Sequence, residues 1–157
     1  MIELFTRKVD GIVLPEDAVL SPLPMDDDLS SLSAILLDDD YYELLKEGRT
    51  RVNGITVLDV PYLILFKVKA WLDLSDRKSA GEHVDSKNIR KHKNDVFRLT
   101  ELLDPDQGIV LRIPGEVLSD IEEFIERMKM EDIDLKNLGI REKTKNDILD
   151  ELQELYT

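Results

Sequence analysis

Residues 59–99 read DVPYLILFKVKAWLDLSDRKSAGEHVDSKNIRKHKNDVFRL, and this segment determines the predicted architecture. Apolar side chains recur at helical spacing from Asp59 to about Lys78, with Asp59 as N-cap and Pro61 in the first turn. A second helix is predicted from Asp85 or Ser86 to Leu103, because the proline that follows would close it. The two segments together predict a helical hairpin.

Shorter signals surround this hairpin on both sides. Asn53-Gly54 lies between two β-prone triplets and predicts a β-hairpin, because Asn-Gly supplies two positive-φ positions. Met1–Lys8 reads as a strand, and Leu29–Leu37 as a helix or a buried turn. Three further helices are predicted by capping residues and apolar spacing, at Asp38–Glu47, from Pro114 to about Met130, and from Thr144 to about Tyr156.

These elements predict an α+β fold that is predominantly helical. A small antiparallel β-sheet or hairpins at the front are followed by a bundle of about four helices. The length of 157 residues favours one domain, with a β-containing part over 1–58 and a helical part over 59–157.

Composition excludes several classes of protein. The chain has no cysteine, so disulfides, iron–sulfur clusters and cysteine nucleophiles are excluded, and its two histidines leave little for a metal site. No apolar run is long enough to span a membrane, and MIELFTRK lacks the apolar stretch of a signal peptide. We expect a cytoplasmic protein that does not enter membranes.

The charge of −13 is distributed unevenly. Residues 1–59 carry a net charge of −8, residues 67–98 carry +4, and residues 99–157 carry −9. The positive segment is either a solvated helix face or a phosphate-facing surface. The candidate phosphate-binding residues are Lys69, Lys87, Arg90 and Lys91. The acidic total disfavours binding of nucleic acid by this chain alone.

Lys67 is the most informative residue of the first long helix. Its neighbours on the same face are apolar or aromatic, so its ammonium group needs a partner from another element or from a ligand phosphate. Asp85 is predicted to cap the second helix and could also face Lys67. Lys69 is expected to pair with Asp73 on the surface. His92 is expected to be partly buried, and no spacing typical of a metal site is present.

The segment Asp59–Leu99 resembles the C-terminal helical half of the AbiEii/AbiGii-type nucleotidyltransferase-like toxin family of bacteria. Lys67-Val68-Lys69-Ala70 matches the Lys-x-x-Ala helix of that family. Val84-Asp85-Ser86-Lys87-Asn88 partly matches its Arg-Asp-x-x-Asp element, with valine in place of arginine and Asn88 in place of the later aspartate. A weaker resemblance extends from IELFTRKVDGI to LKNLGI.

The resemblance implies Mg²⁺-dependent nucleotidyl transfer from an NTP in the complete family. The family's core needs a Gly-Gly or Gly-Ser turn and an Asp-x-Asp on a strand, and neither is present here. Glu3 lies where a third carboxylate is expected, so Met1 is expected to fall partway through the catalytic domain. The chain is then a catalytically incomplete relative without a cofactor of its own, and Lys67, Asp85 and Glu3 are remnants. Such a toxin implies a cognate antitoxin.

Two alternatives stay open. The first is a non-enzymatic interaction module, or a homodimer, formed through the unpaired edge of the N-terminal strand. The second is an enzyme of another chemistry built on Lys67, Asp85 and His92.

Overall fold

A computed structural model of the chain describes residues 4–7, 34–37, 39–103 and 109–157. Four described strands form two sheets of two strands each: β1 (Leu4–Arg7), β2 (Ala34–Leu37), β3 (Arg49–Val52) and β4 (Ile55–Leu58). The described helices are α1 (Asp39–Glu47), α2 (Val60–Ser79), α3 (Ser86–Thr100), α4 (Gly115–Met130), α5 (Leu135–Leu138) and α6 (Lys145–Leu155). The described residues form the predicted α+β fold, and it is predominantly helical.

The predicted β-hairpin is confirmed. Strands β3 and β4 are antiparallel, with Val52 opposite Ile55. The turn residues both have positive φ, +52° for Asn53 and +83° for Gly54. These angles suit a two-residue hairpin turn whose twist matches that of the strands. The Asp59 N–H donates a hydrogen bond to the Gly48 carbonyl at 2.8 Å, and this bond closes the base of the hairpin.

Strands β1 and β2 form a parallel pair, with Leu4 opposite Ala34. The predicted N-terminal strand is therefore present over its four described residues. The expectation of a helix or buried turn over Leu29–Leu37 is wrong for its last four residues, which are β2. A short apolar run does not distinguish a buried strand from a helix by periodicity. Glu3, a candidate catalytic residue, lies outside the described residues.

The chain divides into two compact units, residues 1–43 and 44–157. The division falls within α1. The helix predicted over Asp38–Glu47 is confirmed, and α1 begins one residue later than predicted, at Asp39. The prediction of a single domain over 1–157 stays a prediction. The second unit contains the β3–β4 hairpin and the five helices from α2 to α6.

Four helices supply the core of the second unit. Helix α2 packs against α3 and α4, and α4 packs against α6. Their buried side chains are apolar and recur at helical spacing, which explains why the pattern predicted these helices. The most deeply buried are Ile64, Leu65 and Val68 of α2, Val96 and Phe97 of α3, Val117, Ile121, Phe124 and Met128 of α4, and Ile148 and Leu152 of α6.

Most of the predicted caps are present. Thr144 and Asp147 form a reciprocal capping box at the start of α6. Asp59 precedes α2 as predicted, but its side chain makes no capping hydrogen bond, and Pro61 in the first turn has no N–H to cap. Helix α3 ends at Thr100 instead of Leu103. No helix in the described ranges is long and apolar enough to cross a bilayer.

The end of the chain is fixed to the segment before α4. The Leu111 N–H donates to the Leu155 carbonyl at 2.7 Å, and the Thr157 N–H donates back to the Leu111 carbonyl at 3.0 Å. The segment around Leu111 is therefore extended and forms a parallel bridge with Tyr156.

Candidate functional site

The helical hairpin buries Lys67 beside a carboxylate of the facing helix. Lys67 is only 8% exposed, and its Nζ lies 3.7 Å from Oδ2 of Asp95 on α3. The sequence suggests Asp85 as a residue that could face Lys67, but Asp95 is the carboxylate of the described helices that lies beside it. Asp85 is exposed and caps α3 by accepting the Lys87 N–H at 2.8 Å. The two candidate catalytic residues on the described helices therefore have separate structural contacts.

The candidate phosphate-binding residues do not converge on one place. Lys69 lies 2.7 Å from Oδ2 of Asp120 on α4, so the expected surface pair with Asp73 is not formed. Asp73 pairs instead with Arg77, at 3.6 Å. Lys87 is exposed in the first turn of α3, and Lys91 is half-buried one turn later. Of the four candidates, Arg90 alone lines a groove of the described structure.

That groove lies between α2, α3 and α4 and has a volume of about 620 Å³. We call it the α2–α3–α4 groove. Four basic residues and one acidic residue line it, an excess of three positive charges on a chain of net charge −13. The four basic residues are Lys78, Arg90, Lys93 and Arg127, and the acidic residue is Glu131.

Three of these cations already have partners. Lys93 of α3 lies 2.6 Å from Oε2 of Glu131, and its side chain is 13% exposed. Lys78 of α2 donates to the hydroxyl of Ser86 at 2.5 Å. Arg127 of α4 pairs with Asp76 at 2.7 Å and also with Glu123. The hydrogen bond with Asp76 is the main reason that the pKa of Arg127 is raised above its ordinary value.

Arg90 differs from Lys93 and Arg127 in its pairing. Like Lys78, it is exposed and forms no ion pair with any residue that the structure describes. Its guanidinium group keeps donors that a planar anion such as a carboxylate or phosphate can accept in a bidentate manner. The groove therefore combines two ion-paired cations, Lys93 and Arg127, with two cations, Lys78 and Arg90, whose charge no described carboxylate balances.

The wall of the groove that α2 supplies is aromatic and polar. Trp71 is 5% exposed, and Phe124 packs against it edge to face with ring centroids 5.3 Å apart. The guanidinium carbon of Arg127 lies 5.8 Å from the centroid of the Trp71 ring. One turn along α2, the Oγ of Ser75 is buried and has no hydrogen-bond partner among the described residues. Such a group usually acquires a partner from water or a ligand.

Nothing in the described residues forms a metal centre. No group of three or more histidine, aspartate or glutamate side chains there is arranged to hold a metal ion. The sequence also contains two acidic triplets, at residues 26–28 and 38–40. Asp39 and Asp40 occupy the first turn of α1, where they complement the helix dipole. The triplet at 26–28 lies outside the described residues. His92 is half-buried on α3, as expected from its position.

Sequence reasoning missed most of the groove. It singled out Arg90 but not Trp71, Ser75, Lys78 or Arg127. A partial signal existed, because Trp71, Ser75 and Lys78 follow the three- and four-residue spacing of one helix face. The contribution of α4 could not be found in this way, since no local spacing relates it to α2 and α3.

Comparison with known proteins adds no assignment, since no family model, no curated protein and no solved structure matches this chain.

Proposed function

We propose that this chain is a binding protein that holds an anionic group of its ligand in the α2–α3–α4 groove. The observation that carries the proposal is Arg90, an exposed arginine without an ion pair among the described residues, at the edge of a groove with an excess of positive charge. A hydrogen bond between charged groups is about twice as strong as one between neutral groups. A carboxylate or phosphate bound there would balance Arg90.

A titration with inorganic pyrophosphate tests this proposal. Trp71 is the single tryptophan of the chain and lines the groove, so its fluorescence should report an anion bound there. Calorimetry on the same samples supplies the dissociation constant. We expect Arg90→Gln to weaken binding by about tenfold, the loss typical of one hydrogen bond to a charged group.

Arg98→Gln is the matched control. Arg98 is an exposed arginine of the same helix, but it does not line the groove. The same substitution there should leave the pyrophosphate affinity unchanged. Equal affinities for wild type and Arg90→Gln, or the same loss for both variants, would overturn the proposal.

We also propose, as the second candidate, a catalytically incomplete nucleotidyltransferase-like protein of the AbiEii/AbiGii type. It is supported by the resemblance of Asp59–Leu99 to that family, in which Lys67 and Asp85 would belong to the nucleotide side of a complete site. A cognate antitoxin is the partner that goes with this proposal, and a homodimer through the N-terminal strand goes with the non-enzymatic alternative. The pairing of Lys67 with Asp95 and the cap formed by Asp85 give both residues a structural role as well.

Incubation of the full chain with each NTP and Mg²⁺ tests this second candidate. Mass spectrometry should detect no nucleotide transfer and no NTP turnover. Metal-dependent turnover by the pure protein would contradict the catalytically incomplete state. Light scattering on the same sample gives the oligomeric state, and a strict monomer at high concentration would contradict the homodimer.

A further inference from the structure

We infer that the ligand of the α2–α3–α4 groove is an acidic peptide segment that carries an aliphatic anchor, contributed by a partner protein. This inference rests on the proposed anion binding and adds the chemical class of the ligand. The groove sets a positive charge beside exposed apolar surface, so a suitable ligand must offer both a carboxylate and an apolar side chain.

The apolar part of the groove is aliphatic. Met130, the last residue of α4, is 90% exposed, the highest value among the exposed large hydrophobic residues. Ile89 of α3 is half-buried and lines the same groove beside Arg90. Methionine is unbranched and flexible, and it adapts to the side chains of a partner. Met130 and Ile89, in the same groove as Arg90, suit a leucine or isoleucine that is flanked by acidic residues.

The aromatic residue of the groove does not suit a nucleobase. Recognition of an unpaired base commonly uses the face of an aromatic ring. Trp71, the aromatic residue among the described lining residues, is almost fully buried, with Phe124 packed against it and Arg127 over its ring. The ring is therefore occupied by the protein's own side chains, which favours a peptide over a nucleotide.

The charges also favour an acidic peptide over a basic one. The lining residues carry an excess of positive charge, although the rest of the chain is strongly acidic. A basic segment would be attracted to the chain as a whole but repelled at the groove, and an acidic segment finds its complement there. Because the excess of positive charge is local to the groove, an acidic peptide is attracted to the groove and repelled by the acidic remainder of the chain.

The experiment compares four probes on the full chain by calorimetry, with Trp71 emission to report the site. The probes are inorganic pyrophosphate, ATP, a short glutamate-rich peptide with two leucines, and the same peptide with serines in place of the leucines. We expect the leucine peptide to bind about tenfold or more tightly than the serine peptide, since burial of an aliphatic side chain supplies that difference. ATP should bind no more tightly than pyrophosphate.

Two variants separate the inference from the proposed function. Arg90→Gln should weaken both pyrophosphate and the leucine peptide. Met130→Ser should weaken only the leucine peptide, and the exposure of Met130 makes this change harmless to the fold. Leu102→Ser is the control, because Leu102 is 67% exposed and does not line the groove.

Each outcome has one meaning. Loss of the leucine preference in Met130→Ser, with unchanged pyrophosphate binding, supports the inference. Pyrophosphate binding without any preference for leucine, or tighter binding of ATP than of the peptide, overturns the inference and leaves the proposed function standing. Failure of pyrophosphate and peptide alike to bind overturns the proposed function itself.

Discussion

The hydroxyl of Tyr156 links two distant parts of the second unit through a single atom. It is buried and donates a hydrogen bond to the Pro61 carbonyl at 2.7 Å, so the end of the chain is held against the start of α2. Burial raises the pKa of Tyr156 well above the ordinary tyrosine value. The neutral hydroxyl is therefore the form that stabilises the fold.

Tyr156→Phe should lower the free energy of unfolding by about 1 kcal/mol at neutral pH, through loss of this hydrogen bond. The unfolded tyrosine ionises near pH 10, below the folded value, so the wild type should lose stability as the pH rises above about 10. The phenylalanine variant lacks that loss, so the difference in the free energy of unfolding between the two proteins should narrow above about pH 10. Urea unfolding at neutral and alkaline pH measures this difference. A difference that stays constant with pH would contradict the role given to the Tyr156 hydroxyl.

Gly48 is a second residue whose identity the packing requires. It is buried between α1 and β3, and a Cβ at this position would lie 2.6 Å from the Cβ of Tyr62. That atom is close to the backbone of α2 and cannot move away cheaply. Gly48→Ala should therefore destabilise the fold by about 1–3 kcal/mol, the usual cost of overpacking. In thermal unfolding, Gly115→Ala is the control, since a Cβ there meets nothing within 4 Å.

At the scale of the elements, the Lys67–Asp95 pair holds α2 to α3. Both side chains are largely shielded from solvent, at 11% and 24% exposed. Asp95→Asn should cost about 1–3 kcal/mol, because it takes the charge of the facing carboxylate away from a buried cation, and Lys67→Met should cost less. A double-mutant cycle by urea unfolding measures the coupling. Lys67→Met should also leave pyrophosphate affinity unchanged, and a weaker affinity would give Lys67 a direct role in binding.

The capping box of α6 makes the stability of the fold depend on pH in the acidic range. The Thr144 N–H donates to Oδ2 of Asp147 at 2.7 Å, and this hydrogen bond is the main reason that the pKa of Asp147 is lowered. The stabilisation is present above the ordinary aspartate pKa and is lost as the pH falls through the lower folded value. Asp147→Asn should be less stable than wild type at neutral pH, with a gap that closes on acidification. Chemical unfolding at a series of pH values, from neutral down to about pH 3, measures the difference in the free energy of unfolding between the two proteins.

Elements that depend on local chemistry could be predicted from the sequence, and those that depend on distant partners could not. Asn53-Gly54 and the cap at Thr144 act over a few residues, so the hairpin and the start of α6 follow from them directly. The parallel partner of β1 comes from a distant part of the chain. In the same way, Lys69 pairs with Asp120 across 51 residues, where helical spacing had indicated Asp73.

At the scale of the whole molecule, the separation of charge along the sequence is partly cancelled in space. The positive segment 67–98 is followed by an acidic one, and α4 brings acidic residues of that second segment back to it. Asp120 neutralises Lys69, and Glu131 neutralises Lys93. What stays positive is the edge of the groove at Arg90 and Lys78. The sequence could indicate a basic segment, but only the packing of three helices distinguishes the cations whose charge no described carboxylate balances there.

The same packing predicts that the helical part is sufficient for both folding and binding. Most of its buried hydrophobic residues come from α2, α3, α4 and α6, and every described residue that lines the groove lies between Trp71 and Glu131. A fragment of residues 39–157, which keeps α1 whole, should therefore unfold cooperatively in urea, followed by the emission of Trp71. It should bind pyrophosphate with the affinity of the full chain, because the cations and the walls of the groove are all retained. A fragment that unfolds without cooperativity would show that the core needs residues 1–38. A folded fragment with altered pyrophosphate affinity would show that binding in the groove depends on those residues.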